Sequence, residues 1–231
     1  MDFFLLQVQS AVDTLTKATT PPVAPKQLHL IDLIISAGWI MIPLLLLSAL
    51  TVYVFAERWM AIKKAAQVDD NFMNIIRDNI LSGNVTAARN FARNTNNPVG
   101  RMIDKGIQRI GKPIDAINFS MENVAELELF KLQRNVNALS IVSKIAPIFG
   151  FVGTLVGLMQ LFFNINATGD YELSTIAGGI YTKLISSIAG LVIGLIAYLF
   201  HNILESQIDK IANKLEAAAA DFLDVLQEPT R

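Results

Sequence analysis

The sequence predicts an all-α polytopic membrane protein with three transmembrane helices, two of them extended into a cytoplasmic helical bundle. The chain has 231 residues, of which 52% are hydrophobic and only 17% are charged. Three apolar stretches, at 31–56, 141–163 and 176–204, can each cross a bilayer as a helix, which takes about 20 residues. Apolar positions at helical spacing also continue beyond the membrane-length stretches, which predicts helices that project from the bilayer.

Residues 1–30 precede the first span and have a different character. Apolar positions at Phe4, Val8 and Val12 follow helical spacing, and no positive residue precedes them. An amphipathic interfacial helix therefore fits this stretch better than a secretory signal, and a disordered tail is the alternative. The segment TTPPVAP that follows contains three prolines and is expected to be a linker, because proline does not continue a helix.

The distribution of positive charge predicts the orientation of the chain. Residues 57–140 contain 12 lysines and arginines, whereas residues 1–30 contain two and residues 164–174 contain none. The positive-inside rule then places 57–140 in the cytoplasm. The N-terminus and the turn over 164–175 are expected in the periplasm, and the C-terminus in the cytoplasm.

The cytoplasmic region 57–140 is expected to be helical with short breaks. The pattern predicts helices over 70–81 and 85–93, a loop over 94–100 and a break at Gly111. From Ile114 to Lys144 there is no glycine or proline, so one unbroken helix is expected to run into the second span. Its buried face is expected at four positions spaced by four and three residues: Ile117, Met121, Val124 and Leu127.

The third span is also expected to continue past the membrane, as a cytoplasmic C-terminal helix over 205–231. An apolar stripe supports this helix to about Gln227, and Pro229 follows its end. The stripe consists of Leu204, Ile208, Ile211, Leu215 and Phe222.

The second and third spans are separated only by a short turn and are expected to form a membrane hairpin. Glycines recur along both spans, and small residues allow helix backbones to approach closely in lipid; those expected at helix contacts are Gly150, Gly153, Gly157, Gly190 and Gly194. Polar side chains also lie at membrane depth, where they usually face protein or a water-filled path; they include Thr154, Thr182, Lys183, Ser186 and Ser187. The pattern is typical of a hairpin packed in an assembly, and it allows a pore.

Several function classes have little support. The chain has no cysteine and two scattered histidines, so we expect no metal site and no cofactor. The net charge of −1 gives no reason to expect nucleic-acid binding. No phosphate-binding, metalloprotease or hydrolase motif is present, which makes a membrane enzyme the least favoured class. The acidic run Glu122, Glu126 and Glu128 is expected to be a solvated helix surface.

A family resemblance is carried by the two spans of the hairpin. Residues 146–159, APIFGFVGTLVGLM, resemble the A-P-x-x-G-x-x-G-T-x-x-G-x signature of the MotA/TolQ/ExbB proton channel family. Residues 179–191, GIYTKLISSIAGL, are similar to the family's G-I-x-E-A-L-x-x-T-x-x-G-L. The chain length and the expected N-terminal periplasmic helix resemble the ExbB branch more than the four-span MotA branch.

The resemblance implies a homopentamer in the bacterial inner membrane, arranged around a pore. That pore would hold the single membrane helices of an ExbD-like partner, and the complex would use the proton-motive force to energise a TonB-like protein. Thr154 and Ser187 carry over as pore-lining groups, and Ser186 and Thr182 are assigned to the same proton path. Thr182 stands where many relatives have an acid, so no carboxylate carries over.

The composition of the two spans indicates that the group that binds protons comes from another protein. Between 141 and 204 the only carboxylates are Asp170 and Glu172, both in the predicted turn. Hydroxyls such as those of Thr154 and Ser187 pass protons through hydrogen bonds, but they do not store a proton near neutral pH. We therefore expect a partner to supply an aspartate within the membrane. Since the hydroxyl lining builds no evident Na⁺ cage, H⁺ is the favoured ion.

Lys183 has two interpretations from the sequence. It lies seven residues after Ile176, about 10 Å inside the external end of the span, so its side chain can snorkel toward the periplasm. The first interpretation is snorkelling without any role in conduction. The second places Lys183 in a subunit contact near the periplasmic mouth, where its charge sets the field felt by the partner's carboxylate.

The sequence also fits two other functions. A TolQ-like or gliding-type stator subunit would share the mechanism and differ in its client. A non-conducting membrane scaffold would use the glycines for packing alone. In each case a solitary chain would expose polar groups to lipid, so a ring of identical subunits is expected, with the second and third spans innermost.

Overall fold

The computed structural model describes residues 39–67, 69, 71–169 and 172–227, and over these ranges the chain is all-α. Its helices are α1 (Met41–Ala65), α2 (Phe72–Leu81), α3 (Val85–Asn94), α4 (Pro98–Ile107), α5 (Ile114–Gln133), α6 (Val136–Thr168) and α7 (Leu173–Gln227). The predicted interfacial helix and linker over 1–30 lie outside the described residues, as does the predicted start of the first span.

Three of these helices, α1, α6 and α7, are long and apolar enough to cross a membrane, as the sequence predicted. The 55 residues of α7 make it about 80 Å long at 1.5 Å per residue. Because a bilayer core is about 30 Å thick, a large part of α7 extends beyond the apolar region. We call residues 141–168 of α6 and 173–204 of α7 the apolar hairpin. Helices α2 to α5, with residues 205–227 of α7, form the helical head.

The core of the helical head is organised around the extended part of α7. All five residues of the predicted stripe are buried, with 2% exposure or less. Met102 of α4 and Met121 of α5 pack in the same cluster as Phe222. At Gly106 of α4, an added Cβ would lie 2.7 Å from both the Met121 sulfur and a Phe222 ring carbon. This close approach fixes α4 against α5 and α7.

The expectation of one helix from Ile114 into the second span is wrong. Helix α5 ends at Gln133, and α6 begins at Val136. Between them Arg134 is extended, with ψ of 133°, and Asn135 is left-handed, with φ of 66°. Asparagine is among the few residues other than glycine that tolerate this conformation. The break therefore needs no glycine or proline.

Two predicted connections are shorter than expected. The turn predicted over 164–175 begins later, because α6 continues to Thr168 and ends at Gly169, whose φ is +67°. The loop predicted over 94–100 is reduced because α4 already begins at Pro98. Asn97 makes this early start possible: its Oδ1 accepts a hydrogen bond from Gly100 N at 2.7 Å. Its Nδ2 donates to Gln67 O at 2.9 Å, which ties the segment after α1 to the helical head.

Helix α5 faces the core through a different set of residues from the one predicted. Ile117 and Met121 are buried and Val124 packs against the core, but Leu127 is 60% exposed. The next residue, Glu128, turns inward instead and is 4% exposed. Glu122 and Glu126 are exposed as expected, whereas the expectation of a solvated Glu128 is wrong.

Two cations explain why the Glu128 carboxylate can be buried. Arg101 Nη2 of α4 lies 2.5 Å from Oε2, and Lys131 Nζ lies 2.7 Å from Oε1. Burial by itself raises the pKa of Glu128, but the hydrogen bonds from Arg101 and Lys131 outweigh it and hold the pKa below its ordinary value of 4.5. The carboxylate therefore links α4 to α5 as a charged group.

Replacing Glu128 by glutamine is expected to lower the free energy of unfolding of the helical head by about 1–2 kcal/mol at neutral pH, because charge-assisted hydrogen bonds are lost. Since folding depresses the pKa of Glu128, its contribution is complete above pH 4.5 and is lost as the pH falls through the lower folded-state pKa. Thermal unfolding in detergent against pH measures this, with the exposed Asp209→Asn as control. A pH-independent gap between wild type and Glu128→Gln would contradict the assignment.

Candidate functional site

The two helices of the apolar hairpin run antiparallel and approach most closely at paired glycines. A Cβ added at Gly190 would lie 2.5 Å from Ala146 O and 2.9 Å from Gly150 Cα. A Cβ added at Gly150 would lie 2.7 Å from Ser186 O. These neighbours are backbone atoms, which have no rotamer freedom. Alanine at either position would therefore push the helices apart.

The other three glycines expected at helix contacts also lie against neighbouring elements. A Cβ at Gly194 would lie 2.7 Å from Pro147 Cγ. At Gly153 it would lie 2.8 Å from Ile40 Cγ2 and 3.0 Å from Ser186 Oγ. Ile40, the residue before α1, therefore contacts the hairpin at Gly153. The fifth, Gly157, contacts Lys183.

Two of the predicted polar residues converge on one backbone carbonyl. Thr154 of α6 donates from Oγ1 to the carbonyl oxygen of Lys183 at 3.1 Å, and Ser186 of α7 donates from Oγ to the same oxygen at 2.9 Å. Thr154 is 7% exposed and Ser186 is 2% exposed. Sequence reasoning missed this acceptor, because a backbone carbonyl leaves no signal in the sequence. The two hydroxyls form a polar cluster, the hydroxyl pair, inside the helix contact.

The remaining two hydroxyls are more accessible. Thr182 is half-buried and donates from Oγ1 to Gly179 O at 2.9 Å, within its own helix. Ser187 is half-buried, and its hydroxyl makes no hydrogen bond within the described part of the chain. Ser187 therefore keeps its donor and acceptor capacity for water or for a group outside the chain.

The side chain of Lys183 rests on Gly157. A Cβ added at Gly157 would lie 2.8 Å from Lys183 Cγ, and closer still to Cδ. Gly157 lies about one helical turn beyond Thr154, on the side of the turn between α6 and α7. The aliphatic part of the Lys183 side chain therefore extends toward that turn. Among the residues that the structure describes, Lys183 has no ion-pair partner. The glycine provides the space that the stem occupies.

Charged groups are otherwise scarce in the hairpin. Apart from Lys183, no lysine, arginine, aspartate, glutamate or histidine occurs at 145–169 or 173–200. At the head end of α7, His201 Nδ1 lies 3.4 Å from Glu205 Oε2. Over the described ranges, no group of three or more potential metal-binding side chains comes together. The chemistry that this site offers is hydrogen bonding by hydroxyls next to one fixed cation.

A glycine-packed membrane hairpin with buried hydroxyls, attached to a helical head by an extended span, defines a class of polytopic α-helical membrane proteins. The chain belongs to the MotA/TolQ/ExbB proton channel family, whose model matches residues 94–217. The matched region includes α4, α5, α6 and most of α7.

Individual relatives carry ExbB names. A putative biopolymer transport protein ExbB-like 1 from Synechocystis is 28% identical over 199 residues, covering 83% of this chain and 77% of the relative. A putative biopolymer transport protein ExbB homolog from Methanothermobacter thermautotrophicus is 23% identical over 175 residues, covering 74% and 62%. The biopolymer transport protein ExbB of Salmonella typhimurium is 31% identical over 113 residues, covering 44% of this chain and 46% of that protein. The chain is therefore most like the ExbB members of the family.

Proposed function

We propose that this chain is the ExbB-like subunit of a proton-driven motor in the bacterial inner membrane. It forms a homopentamer, with α6 and α7 lining a central pore. An ExbD-like single-span partner occupies the pore and supplies a membrane aspartate. The complex energises a TonB-like protein. The orientation follows the charge distribution, with the helical head in the cytoplasm and the α6–α7 turn in the periplasm.

The observation that carries this proposal is the chemistry of the apolar hairpin. Between 145 and 169 and between 173 and 200 its polar side chains are hydroxyls, amides and one lysine, with no carboxylate. Hydroxyls relay a proton but do not hold it. A conducting complex built from this chain therefore needs a proton-binding group from another polypeptide. Ser187, whose hydroxyl has no partner in the described part of the chain, is the group best placed to exchange protons with it.

A non-conducting scaffold is the second candidate, and one observation favours it. The hydroxyls of Thr154 and Ser186 are both engaged with the Lys183 carbonyl and are almost fully buried. Hydroxyls used in this way stabilise a helix contact without any ion path. The two candidates differ in whether the assembled complex conducts protons, and in whether that conduction depends on these hydroxyls.

Thr154→Val and Ser187→Ala are expected to lower proton flux through the assembled complex by roughly tenfold or more, since an unmet hydrogen bond in a dry site costs about 1–3 kcal/mol. Thr51→Val is the matched control, because Thr51 is a buried threonine of α1 that bonds Leu47 O, away from the hairpin contact. Flux is measured in proteoliposomes after the oligomer has been verified. Flux at the protein-free level in the wild-type complex would favour the scaffold, and wild-type flux in both hairpin variants would contradict a proton path through these hydroxyls.

Lys183→Gln is expected to move the pH dependence of flux upward. A nearby cation favours the charged form of a carboxylate, so removal of the cation raises that carboxylate's apparent pKa. Lys144→Gln is the control, because Lys144 is an exposed lysine near the head end of the hairpin. The readout is flux against pH in fully assembled complexes. Superimposable profiles would leave Lys183 as a snorkelling residue without a role in conduction.

A further inference from the structure

The helical head carries a groove that the proposed function does not use. It has a volume of about 500 Å³ and lies between α5 and α7. Its floor is apolar and includes Ala125, Leu129 and Leu215. Three carboxylates, Glu122, Glu126 and Glu216, line it, and no lysine or arginine does. An apolar floor beneath an acidic rim is complementary to an apolar side chain flanked by cations.

The same chain displays a segment of that kind between α4 and α5. Arg109, Ile110 and Lys112 are exposed there, and Ile110 is 36% exposed. The segment is a defined turn, because Lys112 N donates to Arg109 O at 3.1 Å and Gly111 has a φ of +90°. Within the described part of the chain, neither Arg109 nor Lys112 forms an ion pair. We call residues 108–113 the basic turn.

The basic turn begins near one end of the groove. Gly106, two residues before the basic turn, is packed directly against Phe222. Leu223, the next residue of α7, lines the groove. Membrane subunits related by rotation about the membrane normal meet at equal heights. A neighbour's basic turn is therefore level with the outer end of this groove.

We propose that the groove binds the basic turn of a second copy of this chain. The two surfaces are different parts of one subunit, so the contact is heterologous, the kind that closes into a ring under rotational symmetry. Ile110 covers the apolar floor, and Arg109 and Lys112 face Glu122 and Glu126. This inference rests on the proposed ring and specifies which surfaces hold its subunits together outside the membrane.

Disulfide trapping tests the contact cleanly because the natural chain has no cysteine. Two differently tagged copies are co-expressed, one with Arg109→Cys and one with Glu126→Cys, and are oxidised in the membrane. A mixed-tag dimer is expected several-fold above the control pair, in which Asp224→Cys replaces Glu126→Cys. Asp224 is exposed on α7 but lines a different cleft, beside α2.

Charge reversal gives a second, independent readout. Glu122→Lys with Glu126→Lys is expected to reduce the fraction of oligomer that survives detergent extraction, and Arg109→Glu with Lys112→Glu in the same chain is expected to restore it. Absence of the mixed dimer, or no restoration, in a ring that is otherwise intact would overturn this contact while leaving the proposed function in place. Binding of a basic segment from a different protein in the groove would give no mixed dimer and no restoration. A monomeric wild type would overturn both.

Discussion

Replacing Gly190 by alanine is expected to open the apolar hairpin and to reduce the amount of assembled protein strongly. The added methyl group would meet Ala146 O and Gly150 Cα, both backbone atoms, at 2.5 and 2.9 Å. Relief therefore requires that the helices themselves separate. Overpacking of this kind costs about 1–3 kcal/mol. Separation would also break the hydrogen bond from Thr154 to the Lys183 carbonyl.

Gly178→Ala is the matched control for this experiment. Gly178 lies in the same helix, and a Cβ there would meet nothing within 4 Å in the chain. The double variant Gly150→Ala with Gly190→Ala is expected to cost less than the sum of the single variants, because the two glycines contact each other. Thermal unfolding in detergent and native mass measurement provide the readout. Equal stability of Gly190→Ala and Gly178→Ala would contradict the packing described here.

The sequence was most informative where burial depends on one helix alone. The stripe from Leu204 to Phe222 predicted the long projection of α7 correctly, because five apolar residues at helical spacing have only one way to be buried together. The three spans could likewise be predicted, because the length and mean hydropathy of a stretch are enough to identify it as a membrane helix. These features need no knowledge of a partner element.

The errors arose where a tertiary contact decided the outcome. Glu128 looked like a surface residue because its partner Arg101 lies 27 residues away, on another helix. Once the carboxylate turned inward, Leu127 had to turn outward. The break at Asn135 was missed because asparagine adopts a positive φ without the usual glycine signal.

The candidate site was predictable in its residues but not in its arrangement. Glycines and hydroxyls in the two spans indicated close packing and a polar lining, and the structure places Thr154 and Ser186 in one contact. Their shared acceptor is a backbone carbonyl, which no residue pattern reveals. The contact between the Lys183 side chain and Gly157 likewise depends on the register between α6 and α7, which the sequence does not reveal.

Proton flux is expected to depend entirely on an acidic partner. Between 145 and 169 and between 173 and 200 the hairpin contains no carboxylate, and Lys183 is the one lysine, arginine or histidine in these ranges. A group that binds and releases protons near neutral pH must therefore enter from outside the chain. In the proposed mechanism this chain supplies the path and its partner supplies the proton acceptor.

The most direct test compares proteoliposomes that contain this chain alone, the chain with an ExbD-like single-span protein carrying a membrane aspartate, and the chain with the same partner carrying asparagine there. The predicted result is flux only in the second preparation, with the first and third at the level of protein-free vesicles. Equal flux from the chain alone would contradict the requirement for a partner's aspartate.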